Sequence, residues 1–251
     1  MKRVLLAGVG VLAITASLTS AALAADLGRR PEALVYKAAP VYAPAFSWTG
    51  LYIGGSLGGR WPAIDVTGVS FAGGAPTGNV SSSFDSATGR FGGYVGYNWQ
   101  VAPNWLIGIE ADLAWGDGSD TQAFVPGVAA VAGDSFTVKH RWDGSVRGRL
   151  GLLATPTWLL YATGGIAWQD LEASANLTGI GAQTNSDTRT GWTVGAGVEA
   201  ALTANWLARA EYRFSDYDTW RSTFFGGTGF DTLVDVKATT HTVYGGLAYK
   251  F

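Results

Sequence analysis

Few side chains in this sequence have the chemistry of catalytic or metal-binding groups. Its 251 residues include no cysteine and only two histidines, His140 and His241. The lack of cysteine excludes thiolate zinc sites, iron–sulfur clusters and disulfides, and it disfavours a soft-metal site. Hydrolysis would need a base beside a nucleophile or an activated water. The polar residues near the histidines, Asp134, Ser135 and Asp235, lie in segments rich in such residues. We therefore expect neither an enzyme nor a bound cofactor or metal.

The charged residues are sparse, and they share a spacing. They make up 14% of the chain, with a net charge of −2 and no basic cluster of the kind that binds nucleic acid. In several segments they recur at every second residue, as in Arg209, Glu211 and Arg213. Alternate residues of a strand point to one face, so these charges share a face. The set that we predict to form a salt-bridge network is Arg90, Glu110, Asp112, Arg141, Asp143, Arg147, Arg149, Glu199, Arg209, Glu211, Arg213 and Lys250.

The residues of opposite parity are apolar, as in the series Trp105, Ile107 and Ile109. In a soluble barrel such as a lipocalin the apolar face points inward. Buried charges of mixed sign are tolerable if they pair, whereas a charge facing lipid near the midplane costs about 2–4 kcal/mol. The clean apolar face therefore predicts lipid outside and paired charges inside. Both histidines have the parity of this lipid-facing set and lie at the loop ends of their strands.

A period-2 pattern broken by turn residues predicts eight strands. They lie near 48–60, 87–99, 105–116, 139–154, 158–170, 189–201, 206–217 and 239–251. The connections after the even strands are tight, whereas those near 61–86, 117–138, 171–188 and 218–238 are long. This segregation is typical of an outer-membrane barrel. The predicted fold is all-β: an eight-stranded antiparallel up-and-down transmembrane β-barrel with short periplasmic turns and long extracellular loops.

Eleven tryptophans are unusual for a soluble protein, in which each would be interpreted as a core residue. Trp105 and Trp115, and again Trp158 and Trp168, are ten residues apart with equal parity. At about 3.3 Å per residue and a tilt near 40°, that spacing rises roughly 25 Å, the height of an apolar membrane band. We predict that membrane-interface girdles contain Trp48, Trp99, Trp105, Trp115, Trp142, Trp158, Trp168, Trp192, Trp206 and Phe251.

The N-terminus has the pattern of a secretory signal peptide. Lys2 and Arg3 precede an apolar stretch, and Ala22-Leu23-Ala24 is a small-residue cleavage site. A transmembrane anchor would need about 20 apolar residues, and this stretch is interrupted. Prolines in the next segment favour extended structure. We predict a signal peptide at 1–24, a periplasmic proline-containing tether at 25–46 and the barrel at 47–251, located in the cell outer membrane.

The chain ends Tyr244-Gly245-Gly246-Leu247-Ala248-Tyr249-Lys250-Phe251, and its first strand begins Ser47-Trp48-Thr49-Gly50-Leu51-Tyr52. With these motifs it resembles the small immunogenic outer-membrane proteins of alpha-proteobacteria, porin-family barrels related to the OmpA transmembrane domain. The resemblance implies that Tyr249 and Phe251 belong to the signal read by the barrel-assembly machinery. It also implies covalent attachment of peptidoglycan to the mature N-terminal pair, Ala25 and Asp26; a free N-terminus is the alternative.

The leading functional hypothesis is a structural barrel that supports the envelope and displays antigenic loops. Its expected partners are outer-membrane lipid, lipopolysaccharide, the assembly machinery and peptidoglycan. An eight-stranded interior is only wide enough for side chains, so a small or transient channel is the second hypothesis. A third is capture of haem or another ligand by the loops, with His140, His241, Tyr217 and Tyr244 as candidate ligands.

Overall fold

The computed structural model describes residues 46–72, 75–84, 87–123, 132–226 and 231–251. Ten strands lie within these ranges and form one antiparallel sheet. No helix of the described residues is long and apolar enough to cross a membrane. In chain order the strands are β1 (Gly50–Ala72), β2 (Ala75–Phe84), β3 (Thr88–Ala102), β4 (Trp105–Gln122), β5 (Ser135–Thr155), β6 (Trp158–Leu177), β7 (Gly181–Ala201), β8 (Trp206–Tyr217), β9 (Trp220–Phe224) and β10 (Thr232–Lys250).

The sheet closes into a ring because β1 pairs with β10, from Tyr52 opposite Lys250 to Ser70 opposite Thr232. The ring consists of β1, β3, β4, β5, β6, β7, β8 and β10. Within the described residues β2 pairs only with β1, and β9 only with β10. β2 continues the path of β3 along β1, and β9 continues the path of β8 along β10. The predicted all-β antiparallel barrel is confirmed, and its ring contains eight strands.

The two ends of the barrel differ. Tight turns join β3 to β4, β5 to β6 and β7 to β8 at one end, which we call the turn end. At the opposite, distal end, much of what the sequence predicted as long connections is strand. Residues 61–72 belong to β1, and 171–177 and 181–188 belong to β6 and β7. The strands therefore continue well beyond the level of Trp115 and Trp168, the predicted girdle residues toward the distal end.

In these distal extensions the apolar residues point inward and the polar residues point outward, the reverse of the membrane section. A search for strands with an apolar outer face therefore did not find them. Phe136 and Val138 of β5 are buried inside, whereas the next residue, Lys139, is exposed. At this level the sheet divides into two groups of paired strands, β9-β10-β1-β2 and β4-β5-β6-β7, because β3 and β8 do not extend this far. The arrangement resembles a β-sandwich. The core that they share contains Ile64, Val66, Phe136, Val138, Leu171, Ala173, Ala175, Leu177, Trp220, Phe224, Val234, Val236 and Ala238.

The outward surface of the middle section narrows at half height. Bulky residues such as Leu57, Ile109 and Leu150 are exposed between the level of Trp105 near the turn end and the level of Trp115 toward the distal end. Halfway along this section each ring strand has an outward glycine or alanine. Three pairs of these residues lie directly opposite each other: Gly55 with Gly93, Gly148 with Gly164, and Ala210 with Gly245. We call this ring the waist. Its members are Gly55, Gly93, Ala111, Gly148, Gly164, Ala196, Ala210 and Gly245.

Candidate functional site: the charged lumen

One connected set of ion pairs occupies the middle of the barrel interior. Six arginines and five carboxylates alternate in sign along its whole path, so that each carboxylate lies between two arginines. We call this set the ion-pair ladder. From the distal end to the turn end its members are Arg60, Asp143, Arg90, Asp112, Arg213, Glu211, Arg147, Glu110, Arg209, Glu199 and Arg149.

At the distal end, Asp143 joins two arginines that come from other strands. Arg60 Nη1 lies 3.0 Å from Asp143 Oδ1, and Arg90 Nη2 lies 2.8 Å from Asp143 Oδ2. Arg90 also donates to Asp112 at 2.7 Å, and Asp112 accepts from Arg213 at 3.0 Å. These contacts tie β1, β3, β4, β5 and β8 together across the lumen.

Glu110 is the centre of the ladder. Its carboxylate accepts hydrogen bonds from the Tyr52 hydroxyl at 2.8 Å, from Arg147 Nη2 at 2.6 Å and from Arg209 Nη1 at 2.6 Å. Arg147 pairs in addition with Glu211, and the side chains of Arg147, Glu110 and Glu211 are fully buried. A buried pair of this kind adds little net stability over an apolar core, but removing one partner strands a charge. Replacing a single charged residue of the ladder by an uncharged one should therefore destabilise the barrel.

At the turn end, Glu199 holds the last two arginines. Arg149 Nη2 lies 2.9 Å and Arg209 Nε 3.0 Å from its Oε2 atom. Both guanidinium groups stack on tyrosine rings, Arg149 on Tyr161 and Arg209 on Tyr94, each 3.9 Å from the ring centroid. Cation–π contacts of this kind stabilise arginines that have been removed from water.

Apolar side chains close the lumen at the turn end. The Trp48 indole is fully buried and donates from Nε1 to the carbonyl oxygen of Pro156 at 3.0 Å, while Phe46 packs edge-on against it at 5.0 Å. This placement corrects the prediction that Trp48 belongs to a girdle. Because Trp48 precedes β1, strand alternation does not determine its direction, and the chain crosses the mouth instead. The cluster around it includes Leu106, Leu159, Leu207 and Ala248.

Arg141 is a second correction, because it does not enter the lumen. Its side chain is about half exposed and pairs with Asp170 on the outer surface, with Nε 2.7 Å from Oδ2. The pairing of β5 with β6 shifts between His140 and Asp143, where two residues of β5 stand opposite one of β6. This bulge reverses the alternation, so that His140 and Asp143 both point inward although they are three residues apart.

The structure places the other predicted network residues inside the barrel: ten belong to the ladder, and Lys250 is buried at the turn end. Of the predicted girdle residues, Trp142 and Trp168 are half-exposed on the outer surface. The remaining seven, Trp99, Trp105, Trp115, Trp158, Trp192, Trp206 and Phe251, are exposed there. In the assembly signal, Tyr249 is also exposed, and its ring packs on Phe251 at 5.2 Å.

Of the candidate haem ligands, His140, Tyr217 and Tyr244 are buried within the barrel. His140 therefore does not lie on the lipid-facing side, as its parity had predicted; it contacts Gln169 above the ladder. Burial, with a smaller contribution from nearby Arg60, lowers the pKa of His140 to about 3. His241 does point outward, and its Nδ1 atom shares a 2.7 Å hydrogen bond with the Tyr212 hydroxyl. Among the described residues, no group of three His, Asp or Glu side chains is arranged to hold a metal.

Sequence reasoning missed Arg60 and three of the interior tyrosines, Tyr52, Tyr94 and Tyr161. Arg60 has the same parity as Tyr52 in β1. It is the only charged residue among the inward-facing residues of that strand, so no series of alternating charges indicated that it points inward. The tyrosine rings fill the space left by inward glycines. A Cβ on Gly54 would lie 2.5 Å from Tyr94 Cζ, and one on Gly96 would lie 2.3 Å from the Tyr52 hydroxyl.

The signal peptide, the greater part of the tether, and the residues Ala25 and Asp26 lie outside the described residues.

Comparison with known proteins gives consistent similarities. Residues 32–251 match the family model described as outer membrane protein beta-barrel domain. The chain is 36% identical over 272 aligned residues to the 31 kDa outer-membrane immunogenic protein of Brucella melitensis, covering 100% of both chains. It is 39% identical over 183 residues to the 22 kDa outer membrane protein of Rhizobium leguminosarum, covering 72% of this chain and 69% of that relative. Among solved structures, Ail of Yersinia pestis aligns with 17% identity and a TM-score of 0.39, covering 81% of this chain and 99% of the other.

Proposed function

Because this chain belongs to the outer membrane β-barrel family, with relatives named as outer-membrane immunogenic proteins, we propose that it is a structural barrel that supports the Gram-negative envelope. The single observation that carries this proposal is the filled lumen. An apolar cluster closes the turn end, the ion-pair ladder fills the middle and an apolar core fills the distal extension. Such an interior suits a rigid membrane anchor better than a conduit.

The distal extension supplies the surface for display. Some of its outward charges pair with one another, as in Lys139 with Glu172 and Arg221 with Asp235. In our proposal it projects from the cell, with the turn end in the periplasm, as the short turns of outer-membrane barrels do. A rigid, polar, exposed sandwich of this kind is accessible to antibodies, which is consistent with an antigenic role.

The same orientation supports a peptidoglycan tether. Phe46, the last residue of the tether segment, and Trp48 lie at the turn end. In this proposal Ala25 and Asp26 reach the wall from that side, as the resemblance to tethered barrels implies. Haem capture is not proposed, since three of its four candidate ligands are buried.

Planar-bilayer recordings test the structural proposal against a channel. The refolded barrel is expected to give little or no steady current, with a sixteen-stranded porin as positive control in the same bilayers. Steady open levels proportional to salt concentration would contradict it. Heat-modifiable migration on gels and outer-membrane fractionation verify that the sample is folded and located as proposed.

The tether is tested by mass spectrometry of muramidase-digested sacculi. A muropeptide on the amino group of Ala25 is expected, and it should disappear when Ala25 and Asp26 are both replaced but persist when Leu27 and Gly28 are replaced. An unmodified N-terminus throughout would reject the tether and leave the structural proposal intact.

A further inference from the structure

One edge of β7 has no strand paired with it in the distal extension. β7 pairs with β6 from Gly181 to Ala201 without a register shift, but β8 accompanies it only from Gly191 onward. Beyond that point the chain continues into β9, which pairs with β10 and, among the described residues, with no other strand. Residues 181–190 and 220–224 therefore form two unpaired edges on either side of a gap, which we call the seam.

Main-chain groups of β7 point into the seam. At its base the Asp218 N–H donates to the Thr190 carbonyl oxygen at 3.0 Å, the last main-chain bond across it in the described part of the chain. In a regular antiparallel strand the N–H and C=O groups of every second residue point to the same side. The main-chain groups of Thr184, Ser186 and Thr188 therefore face the seam as Thr190 does. An edge of this kind is a template for another strand.

Two side-chain amides of β7 bridge the seam where a strand is missing. Asn185 Nδ2 donates to the Ser222 hydroxyl at 2.9 Å and to the Thr223 carbonyl oxygen at 3.4 Å. Gln183 Oε1 accepts a hydrogen bond from the Phe225 N–H at 2.7 Å. A main-chain carbonyl and a main-chain N–H two residues further along thus bind one amide donor and one amide acceptor. A neighbouring strand offers the same two groups through its peptide bonds.

The β9 side of the seam is the weaker wall. β9 has five residues, and the residue that follows it, Phe225, has a φ of +58°, in the left-handed region that a bulky residue rarely adopts. Strain of this kind persists only where surrounding contacts hold it, and the bond to Gln183 is one of those contacts. β7, in contrast, is paired with β6 along its whole length. Widening of the seam should therefore displace β9 rather than β7.

The two walls also determine which strand fits. Trp220 and Phe224 point inward from β9 and are buried in the core of the distal extension. Thr223 on β9, and Thr184 and Ser186 on β7, are exposed on the outer side and uncharged. Because alternate residues of a strand point to opposite faces, a strand in the seam needs apolar residues toward Trp220 and Phe224 and polar residues toward solvent.

We propose that the seam binds an extended, amphipathic polypeptide strand of a partner protein, which adds to the sheet between β7 and β9. The strand lies antiparallel to β7, the longer edge, and its peptide groups replace the side-chain amides of Gln183 and Asn185. Neighbouring strands are about 4.8 Å apart, so the two edges separate to roughly twice that distance as β9 shifts. Main-chain hydrogen bonds supply the affinity, and the alternating side chains supply the selectivity.

The probe is a labelled peptide with the sequence of residues 170–177. In β6 this stretch has the required alternation and pairs with residues 181–188 of β7 on the opposite edge. Fluorescence anisotropy with the refolded mature protein should show saturable binding. The same peptide methylated at every second main-chain nitrogen should bind at least about tenfold more weakly, because it cannot donate to one of the two edges. Hydrogen exchange at the amides of Thr184, Ser186 and Thr188 should slow when the unmethylated peptide binds.

Variants of the two edges complete the test, with heat-modifiable migration as the check of folding. Ser186→Pro removes an N–H that faces the seam and spares the pairing with β6, so it should abolish binding. Thr188→Ala, at an exposed side chain of the same edge, should bind like wild type. Since the chain has no cysteine, Asn185→Cys and Ser222→Cys can be joined by a short, reducible thiol cross-linker. The cross-linked barrel should not bind the peptide, and reduction should restore binding.

The cross-linked barrel and the methylated peptide keep the test decisive if Ser186→Pro fails to fold. Absence of any peptide binding, equal binding of the methylated peptide, or undiminished binding to the cross-linked barrel would overturn the proposal. A protein that dimerises without peptide, and that Ser186→Pro makes monomeric, would assign the seam to a second copy of the chain and would likewise reject it.

Discussion

Arg147 Nη2 and Glu110 Oε1 lie 2.6 Å apart at the centre of the barrel, and both side chains are completely buried. The two residues stand directly opposite each other on β5 and β4. Their contact is therefore a cross-strand pair within the wall as well as a link of the ladder. Tyr52 and Arg209 donate to the other oxygen of Glu110, and Glu211 accepts from Nη1 of Arg147.

Replacing Glu110 by alanine is expected to destabilise the barrel by about 3–5 kcal/mol, because Arg147 and Arg209 would lose a shared carboxylate inside the lumen. Urea titration of the barrel in lipid vesicles measures the change. Asp235→Ala removes the partner of Arg221 on the exposed surface and should change stability little, since solvent screens that pair. If Glu110→Ala lowered the stability as little as Asp235→Ala does, the ladder would not be needed for stability.

Acid should weaken the distal extension through His140. Its folded-state pKa of about 3 lies below the unfolded value near 6.5 because the buried ring resists protonation. The unfolded chain therefore binds the extra proton first, and stability falls as the pH drops from about 6.5 towards 3. His140→Gln, which cannot titrate, should lose less stability than wild type over that interval. Parallel curves for the two proteins would exclude this contribution.

Adjacent glycines on β6 should respond oppositely to enlargement. A Cβ on Gly165 would lie 2.1 Å from the main-chain oxygen of Val146, whereas the waist glycine Gly164 has nothing closer than 3.9 Å. Gly165→Ala is therefore expected to lower the yield of heat-modifiable folded barrel, with a cost of about 1–3 kcal/mol or more from overpacking. Gly164→Ala is expected to fold like wild type. A similar loss in both variants would contradict this steric distinction.

Trp48 should matter more than a tryptophan of the girdle. Trp48→Ala removes a buried indole and its bond to Pro156, for an expected loss of about 3–5 kcal/mol. Trp158→Ala truncates a side chain that is half exposed on the outer surface and should cost less. Urea titration in vesicles compares the two. If Trp158→Ala lost more stability than Trp48→Ala, contacts with lipid would contribute more to stability than the closure of the turn end.

Much of this protein can be worked out from alternation alone. In a regular strand each residue points opposite to its neighbours, so the parity of Glu110, Asp112 and Arg147 fixes their face once lipid is assigned to the apolar side. The same rule gave the all-β barrel, which the structure confirms, and the outward direction of Trp105 and Trp115. Local periodicity carries this information because it depends only on strand geometry.

The tertiary structure decided whatever depends on irregular backbone or on distant neighbours. One bulge beside His140 turned that histidine inward and Arg141 outward, because an extra residue reverses every later side chain. Closure of β1 on β10 brought Arg60 to Asp143 and thereby completed the ladder. Trp48 lies outside any strand, so only the packing at the turn end could direct it inward. Spacing along the chain is enough to show which residues share a face. Which of them meet depends on the closed ring, since pairing across a lumen follows from register and closure.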